Sequence, residues 1–174
     1  MKTELVQVAG VPETRLSPEM LALLPAEAPP APWRARADAI IWWARPDRAA
    51  AAAIRAALPP ALRRASPLTT ITALLSYTYT PVGAYDEILT LLVLRQGGTV
   101  FNHVPFIAVS SPASVVGGRA NWALPKTLAT FSGQPIDNTA MAANGTDWQV
   151  TATAHARGPE RPGSAQPDEP GSRR

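Results

Sequence analysis

Cysteine is absent from the 174-residue chain, and long apolar runs are absent as well. Without cysteine, a disulfide scaffold, a thiolate zinc site and a cysteine nucleophile are all excluded. The two longest stretches without a charged side chain, residues 65–85 and 96–118, are rich in Thr, Ser, Gly and Pro, unlike a membrane helix. The amino-terminal residues lack the apolar core of a signal peptide, because Glu4, Pro12 and Glu13 interrupt them. We therefore expect a soluble protein with no membrane partner, in the cytoplasm by default.

Clustered positive charge is lacking too, although the isoelectric point is near 9.8. The formal net charge is only +3, and the arginines are scattered along the chain. This distribution is typical of a solvated surface and not of a phosphate-binding face. We expect no nucleic-acid partner.

Lysine is the rarest of the charged residues. The sixteen basic residues include only two lysines, Lys2 and Lys126, and Lys2 lies at the terminus. Arginine replaces lysine as a surface charge, but its delocalised guanidinium does not form an imine with a ketone. Lys126 is therefore the internal primary amine to examine for chemistry.

The composition divides the chain into three segments. Residues 1–32 form a Pro-rich lead-in with a short helix that Ser17 caps and Pro25 ends. Residues 33–157 form the domain, which is long enough for one ordinary core. Residues 158–174 contain Pro, Gly and charged side chains with almost no aliphatic residue, so we expect a disordered tail.

Strands dominate the prediction for the domain. Alternating or compact apolar segments predict strands at 37–44, 69–80, 85–95, 99–109, 126–131 and 148–155, and helical patterns cover 47–58 and 113–121. The fold class expected is mainly β (α+β). It is an antiparallel sheet that closes into a barrel, complete or incomplete, with two or three short helices.

Two motifs carry a family resemblance. Residues 81–87 read PVGAYDE and residues 117–126 read GGRANWALPK. They resemble the acetoacetate decarboxylase-like family, in which a P-V-G-x-Y-x-E turn precedes G-R-E-x-x-x-x-P-K by about forty residues. The resemblance covers roughly residues 33–155 and implies that family's β-barrel.

The resemblance also implies roles for particular residues. It makes Lys126 the Schiff-base nucleophile, Glu87 an active-site acid, and Arg36, or Arg34 with a shift in spacing, the ligand of a substrate carboxylate. Further substrate-binding positions are Tyr85, Arg119 and Trp122. It implies a lyase that acts on a small 3-oxo acid, without metal or cofactor, and we expect a homo-oligomer.

The chemistry requires a lysine of this kind. Decarboxylation of a 3-oxo acid leaves a carbanion next to the carbonyl, and an iminium ion is a better electron sink than the ketone. The lysine must attack as the neutral amine, which desolvation or a neighbouring cation favours; this activation is the known behaviour of acetoacetate decarboxylase itself. Apolar or stiff neighbours such as Trp122, Leu124 and Phe131 are consistent with a desolvating pocket around Lys126.

Three positions depart from the family pattern. Thr127 stands where the family enzyme has a second lysine, and Ala120 stands where the motif has glutamate. The family enzyme also has a further acid upstream, at a position that falls near Thr72 in this chain. The chain is also short for the family, so an unclosed barrel would expose edge strands and favour poor solubility, oligomerisation or inactivity. A frameshift and a genuine end both remain open.

Alternatives therefore accompany the lyase hypothesis. An imine-forming aldolase or dehydratase would use the same lysine, and a non-catalytic remnant would only bind a small ligand. From the residues alone, Lys126 and Glu87 also fit solvated surface positions. Arg119 also fits a structural arginine that ties a helix to a loop, and His103 and His155 are too far apart in sequence to suggest a metal pair.

Overall fold

The computed structural model describes residues 2–136 and 138–155. The helices are α1 (Lys2–Val6), α2 (Pro18–Leu23), α3 (Arg48–Ala57) and α4 (Pro112–Trp122), with 3-10 helices at Pro12–Thr14 and Pro60–Leu62. The strands are β1 (Arg36–Ala44), β2 (Ser66–Tyr79), β3 (Tyr85–Gln96), β4 (Thr99–Val109), β5 (Lys126–Leu128), β6 (Thr130–Gly133), β7 (Ala140–Asn144) and β8 (Gln149–Thr153). The mainly β, α+β class is confirmed.

Three helices begin where the sequence supplies a side-chain cap. In each, the capping oxygen accepts a hydrogen bond from the amide N–H three residues later: Ser17 from Met20, Asp47 from Ala50, and Ser111 from Ser114. Such caps satisfy N–H groups that have no partner inside the helix. Prolines follow the ends of α2 and α3, which stops both helices where the sequence predicts.

Five strands form one mixed sheet in the order β1-β2-β3-β4-β5. The first four pair antiparallel, whereas β5 pairs parallel to β4 after the crossover through α4. This last pairing adds one parallel pair to the mainly antiparallel arrangement expected. The remaining strands form a separate antiparallel sheet in the order β6-β7-β8.

The segment expected to be one strand at 126–131 is divided between the two sheets. β5 belongs to the large sheet and β6 to the small one, and Ala129 lies between them, with its N–H bound to the Val109 carbonyl at 3.0 Å. Within the part of the chain that the structure describes, the sheets remain separate and no closed barrel forms. This agrees with the incomplete form of the expected barrel.

The core lies on both faces of the large sheet. On one face, Leu74, Ile88 and Ala108 pack with Met141 and Ala143 of β7, so the two sheets cover each other. On the other face, a second cluster joins the sheet to the amino-terminal segment and α4; its buried members are Leu5, Leu16, Leu24, Tyr85, Val109, Val115 and Val116. The segment 1–32 thus contributes to the domain's core, and the tail at 158–174 lies outside the described residues.

Strand register places the chemically interesting side chains on that second face. Glu87 lies opposite Val109, and Lys126 lies opposite Ile107. Because alternate residues of a strand share a face, Tyr85, Glu87 and Lys126 all project from the same side of the sheet. Among the described residues, no helix is long and apolar enough to cross a membrane.

Candidate active site

Lys126 is the first residue of β5 and is only 4% exposed. Its Nζ donates to Glu87 Oε2 at 2.7 Å, to Ser114 Oγ at 2.9 Å and to the Tyr85 hydroxyl at 3.4 Å. The Tyr85 ring also lies beside the ammonium, with its centroid 5.3 Å from Nζ. The amine is therefore held by three oxygen acceptors that come from β3 and α4.

Glu87 is buried at 2% exposure, because it projects from the interior of β3 towards the helix-covered face. Its ion pair with Lys126 balances both charges, which would otherwise lose their hydration without compensation. None of the buried side-chain nitrogen or oxygen atoms within residues 2–136 and 138–155 lacks a hydrogen-bond partner. The cluster is a closed polar network in an otherwise apolar region.

Two phenols complete the network around Glu87. The Tyr77 hydroxyl donates to Oε1 at 3.4 Å and the Tyr85 hydroxyl to Oε2 at 3.5 Å, while their rings lie 4.6 Å apart. Burial, followed by the charge of Glu87, raises the pKa of both phenols well above the ordinary value of 10.0. Both side chains therefore remain neutral donors to the carboxylate at physiological pH.

The diglycine of α4 makes room for the lysine. A Cβ on Gly118 would lie 2.7 Å from Cε and 2.9 Å from Cγ of Lys126, so only glycine admits the lysine stem against the helix. A Cβ on Gly117 would instead collide with the Trp33 ring. Glycine normally weakens a helix interior by about 1 kcal/mol relative to alanine, and here close packing on two sides explains its presence.

Arg119 holds the main chain of the lysine and not its amine. The guanidinium is 4% exposed and donates to three carbonyls at 2.6 Å each, those of Lys126, Leu5 and Thr14. This geometry ties α4 to β5 and to the amino-terminal segment. It favours the structural interpretation of Arg119 over contact with a substrate.

The other candidate substrate ligands lie farther from the amine. Arg36 is exposed at the start of β1, next to the row in which Ala37, Tyr77 and Tyr85 are aligned. Arg34 precedes that strand and is also exposed. In the described parts of the chain, neither arginine makes a hydrogen bond or ion pair with Lys126 or Glu87 through its side chain.

Trp122, at the end of α4, is 41% exposed and packs edge-on against Trp33 with the ring centroids 5.1 Å apart. It supports the helix from the Gly117 side, away from the three acceptors of the lysine.

Thr127 occupies the position at which the family enzyme has a second lysine. It is buried and donates to the Met20 sulfur at 3.5 Å. Strand alternation turns Thr127 away from the face that carries Lys126.

Ser114 and Tyr77 are the members of the network that the sequence did not single out. Ser114 lies four residues before Gly118 and thus on the same face of α4. A prediction that Lys126 packs against Gly118 would therefore have placed Ser114 near the amine. Tyr77 lies opposite Tyr85 across the turn at 80–84, and a symmetric hairpin would have predicted that pairing.

Fold and site together define a strand-rich α+β domain with a buried lysine–glutamate pair between a parallel strand and its crossover helix. A comparison with family models identifies the family: the acetoacetate decarboxylase (ADC) model matches residues 23–167. The match covers most of the chain, so the chain belongs to the acetoacetate decarboxylase family. No curated protein sequence matches it significantly.

Solved structures share the fold. A structure of acetoacetate decarboxylase is 17% identical, with a TM-score of 0.59 over 87% of this chain and 58% of that one. The acetoacetate decarboxylase of Legionella pneumophila is 21% identical, with a TM-score of 0.52 over 67% of this chain and 51% of the other. The enduracididine biosynthesis enzyme MppR, solved with the condensation product of pyruvate and imidazole 4-carboxaldehyde, is 16% identical, with a TM-score of 0.55 over 77% and 60% of the two chains.

These identities are low enough that the likeness shows the fold alone. The chain also spans only 51% to 60% of the length of those solved structures. Activity, substrate and partners of the longer proteins therefore become proposals for this one.

Proposed function

We propose that this domain decarboxylates a small 3-oxo acid through a Schiff base at Lys126. The observation that carries the proposal is the buried amine, 2.7 Å from a carboxylate that is able to accept its proton. Family membership supports the same residue, because Lys126 closes the motif whose lysine is the nucleophile in the family.

In the first half of the reaction the amine becomes a nucleophile. Glu87 accepts a proton from Nζ, and the neutral amine attacks the ketone carbon of the substrate to give a carbinolamine. Glu87 then returns its proton to the departing hydroxyl group, so that water leaves and an iminium forms. The hydrogen bonds of Tyr85 and Ser114 to Nζ hold the amine in place beside Glu87.

In the second half the carbon–carbon bond to the carboxylate breaks. Its electron pair moves into the iminium, carbon dioxide leaves, and the enamine takes at carbon a proton that water supplies through Glu87. Water then hydrolyses the new iminium, releasing the ketone and restoring the amine. Because Lys126 is 4% exposed, substrate entry requires the groups around it to open.

Arg36 is our proposed ligand for the substrate carboxylate. Arg36 is next in sequence to Ala37, which pairs with Tyr77, and Tyr77 in turn pairs with Tyr85. β1 and β3 are separated by two strand spacings, about 10 Å. An arginine side chain directed along the sheet would approach a substrate bound over Tyr77. Replacement of Arg36 by Ala is expected to weaken substrate binding without removing imine formation.

Reductive trapping tests the proposal. The protein is incubated with acetoacetate and borohydride and its intact mass is measured, with Lys126→Arg as the matched control. We expect an adduct on the wild-type protein and none on the variant, and release of carbon dioxide in the absence of borohydride. A wild-type protein that remains unmodified at saturating acetoacetate would contradict Schiff-base chemistry.

A second candidate keeps the imine but changes the reaction. The neighbouring structure of MppR contains a product of condensation between pyruvate and an aldehyde, and this chain has Ala120 and Thr127 where the decarboxylase motif has ionisable residues. Pyruvate with an aldehyde would then give a condensation product. An adduct with pyruvate but no carbon dioxide from acetoacetate would favour this aldolase-type reaction.

The non-catalytic alternative follows from the chain's limited coverage of its relatives. A binding protein would take up an oxo acid without forming a covalent bond. Calorimetric titration that gives equal affinities for the wild-type protein and Lys126→Arg, with no trapped adduct, would favour binding alone.

A further inference from the structure

Arg119 carries a buried charge that no carboxylate balances in the described parts of the chain. Its three acceptors are neutral carbonyls, and the ion pair found among these residues joins Lys126 and Glu87. The carboxyl-terminal end of α4 offsets the charge only in part, since helix-end carbonyls carry partial charges. Burial accordingly lowers the pKa of Arg119 to about 10. A buried, hydrogen-bonded cation without a counter-charge is costly, and an anion beside it would stabilise the protein.

A cavity of about 180 Å³ lies beside this guanidinium. Its walls are Arg119, Arg15, Thr14 and the loop of residues 6–11. In that loop the main-chain N–H groups of residues 8–10 form no hydrogen bond within the described parts of the chain. Two arginines and a loop with a run of unpaired N–H groups therefore line a space to which no acidic side chain contributes.

We propose that this cavity binds a small oxyanion, such as a carboxylate or inorganic phosphate. Its volume has room for several waters or one anion of a few atoms. Consecutive main-chain N–H groups and arginine forks are recurrent ligands of such anions. Lys126, Glu87, Tyr85 and Ser114 do not line the cavity, so the site is separate from the amine and does not depend on the proposed function.

Arg119 connects the proposed anion site to the main chain of Lys126. Arg119 Nε donates to the Lys126 carbonyl, while its other nitrogens bind the segment that forms the cavity. A bound anion would balance the charge of the group that fixes the main chain of β5. Anion binding is therefore expected to stabilise the fold around the lysine.

Thermal unfolding of the full chain tests the site, with inorganic phosphate and acetate titrated separately at constant ionic strength. We expect Tm to rise with the logarithm of anion concentration above the Kd, as binding to the folded state requires. The anion that raises Tm at the lower concentration is the one the site prefers. Arg15→Glu places a carboxylate at the cavity and should raise the apparent Kd by about tenfold or more, the effect of losing one charge-assisted hydrogen bond. Arg64→Glu makes the same change of charge at an exposed residue outside the cavity and should respond like the wild type.

A second measurement needs no variant. In a two-dimensional amide NMR titration of the wild-type protein, the signals of residues 8–10 should shift and saturate, and the fitted Kd should rank phosphate and acetate in the same order as Tm does. The proposal is overturned if neither anion gives saturable shifts of amide signals, if Arg15→Glu responds like Arg64→Glu in the Tm series, or if the shifted amides lie elsewhere.

Discussion

At the scale of single residues, the network around Glu87 places a strong constraint on stability. A carboxylate and an ammonium, 2% and 4% exposed, share the same apolar face. Burial of such a pair is tolerable only while both partners are present, because each one supplies the other's counter-charge. Stability and proposed chemistry therefore depend on the same two side chains, and variants must separate them.

A double-mutant cycle of the wild type, Lys126→Met, Glu87→Leu and the double variant makes that separation. Lys126→Met alone leaves Glu87 without its counter-charge and should lower the free energy of unfolding by about 3–5 kcal/mol. Lys126→Met combined with Glu87→Leu replaces the pair by apolar side chains and should recover most of that loss, although imine formation is absent in both proteins. Urea unfolding measures the cycle. Equal stability of the single variant and the wild type would show that the pair is not electrostatically coupled.

The two phenols give a prediction about pH. Burial and the charge of Glu87 raise the pKa of Tyr77 and Tyr85, whereas unfolded tyrosines ionise near 10. The folded state therefore binds these protons more tightly. The stabilisation is complete below pH ~10 and is lost as the pH rises towards the folded-state pKa.

Absorbance of tyrosinate measures this effect. The chain has three tyrosines, and in a Tyr79→Phe variant the signal comes from Tyr77 and Tyr85 alone. We expect little tyrosinate in the folded variant at pH ~11, and a rise that coincides with alkaline unfolding followed by circular dichroism. A normal titration near pH 10 in the folded protein would show that the phenols are accessible to solvent.

At the scale of secondary structure, the sequence was informative where a local signal decides the outcome. Side-chain caps and following prolines located α2 and α3, alternation located β2, and the turn residues between apolar segments located β3 and β4. β7 was missed because its sequence, AMAAN, is mostly alanine and has little strand preference, so packing against the large sheet determines it. The division of β5 from β6 depends on which sheet each strand joins, which local periodicity does not encode.

The site shows the same limit. The motif identified Lys126, Glu87 and Tyr85, which the strand register brings to one face. Ser114 and Tyr77 become apparent only when the α4–β5 contact and the β2–β3 register are known. The prediction that Arg119 binds substrate could not foresee the three main-chain carbonyls that its guanidinium contacts. The catalytic roles of Lys126 and Glu87 remain predictions, as do the substrate-binding roles of Tyr85, Trp122 and Arg36.

The diglycine of α4 offers a matched test at this scale. Gly118→Ala and Gly117→Ala add the same methyl group to the same helix and gain the same helix propensity, about 1 kcal/mol. Gly118→Ala meets the stem of Lys126, whereas Gly117→Ala meets Trp33. Overpacking should offset the gain by about 1–3 kcal/mol in both. Only Gly118→Ala should displace the amine and reduce borohydride trapping, and equal trapping by the two variants would argue against a lysine fixed by the helix.

At the scale of the whole molecule, the edge of the large sheet favours self-association. β1 is one of the two edge strands of that sheet in the described part of the chain, and its Ile41 and Trp43 are 55% and 73% exposed. An edge strand with exposed apolar side chains pairs readily with another strand, because its outer N–H and C=O groups have no partner in the sheet. The homo-oligomer expected from the sequence thus has a candidate surface.

Trp43→Lys should weaken such association, since a charge on an edge strand opposes pairing. Sedimentation velocity over a range of concentrations would show a larger species for the wild-type protein and a shift towards monomer for the variant. Trp122→Lys is the matched control, because Trp122 is also exposed but lies at the end of α4, away from the sheet edge.

A second variant tests how two copies of β1 would pair. Antiparallel pairing of β1 with its copy, centred on Ile40, would place Trp43 opposite Ala37, a large side chain beside a small one. Ala37→Lys would place a charge opposite Trp43 of the second copy and should also weaken the dimer, whereas a dimer that survives both changes must form through another surface.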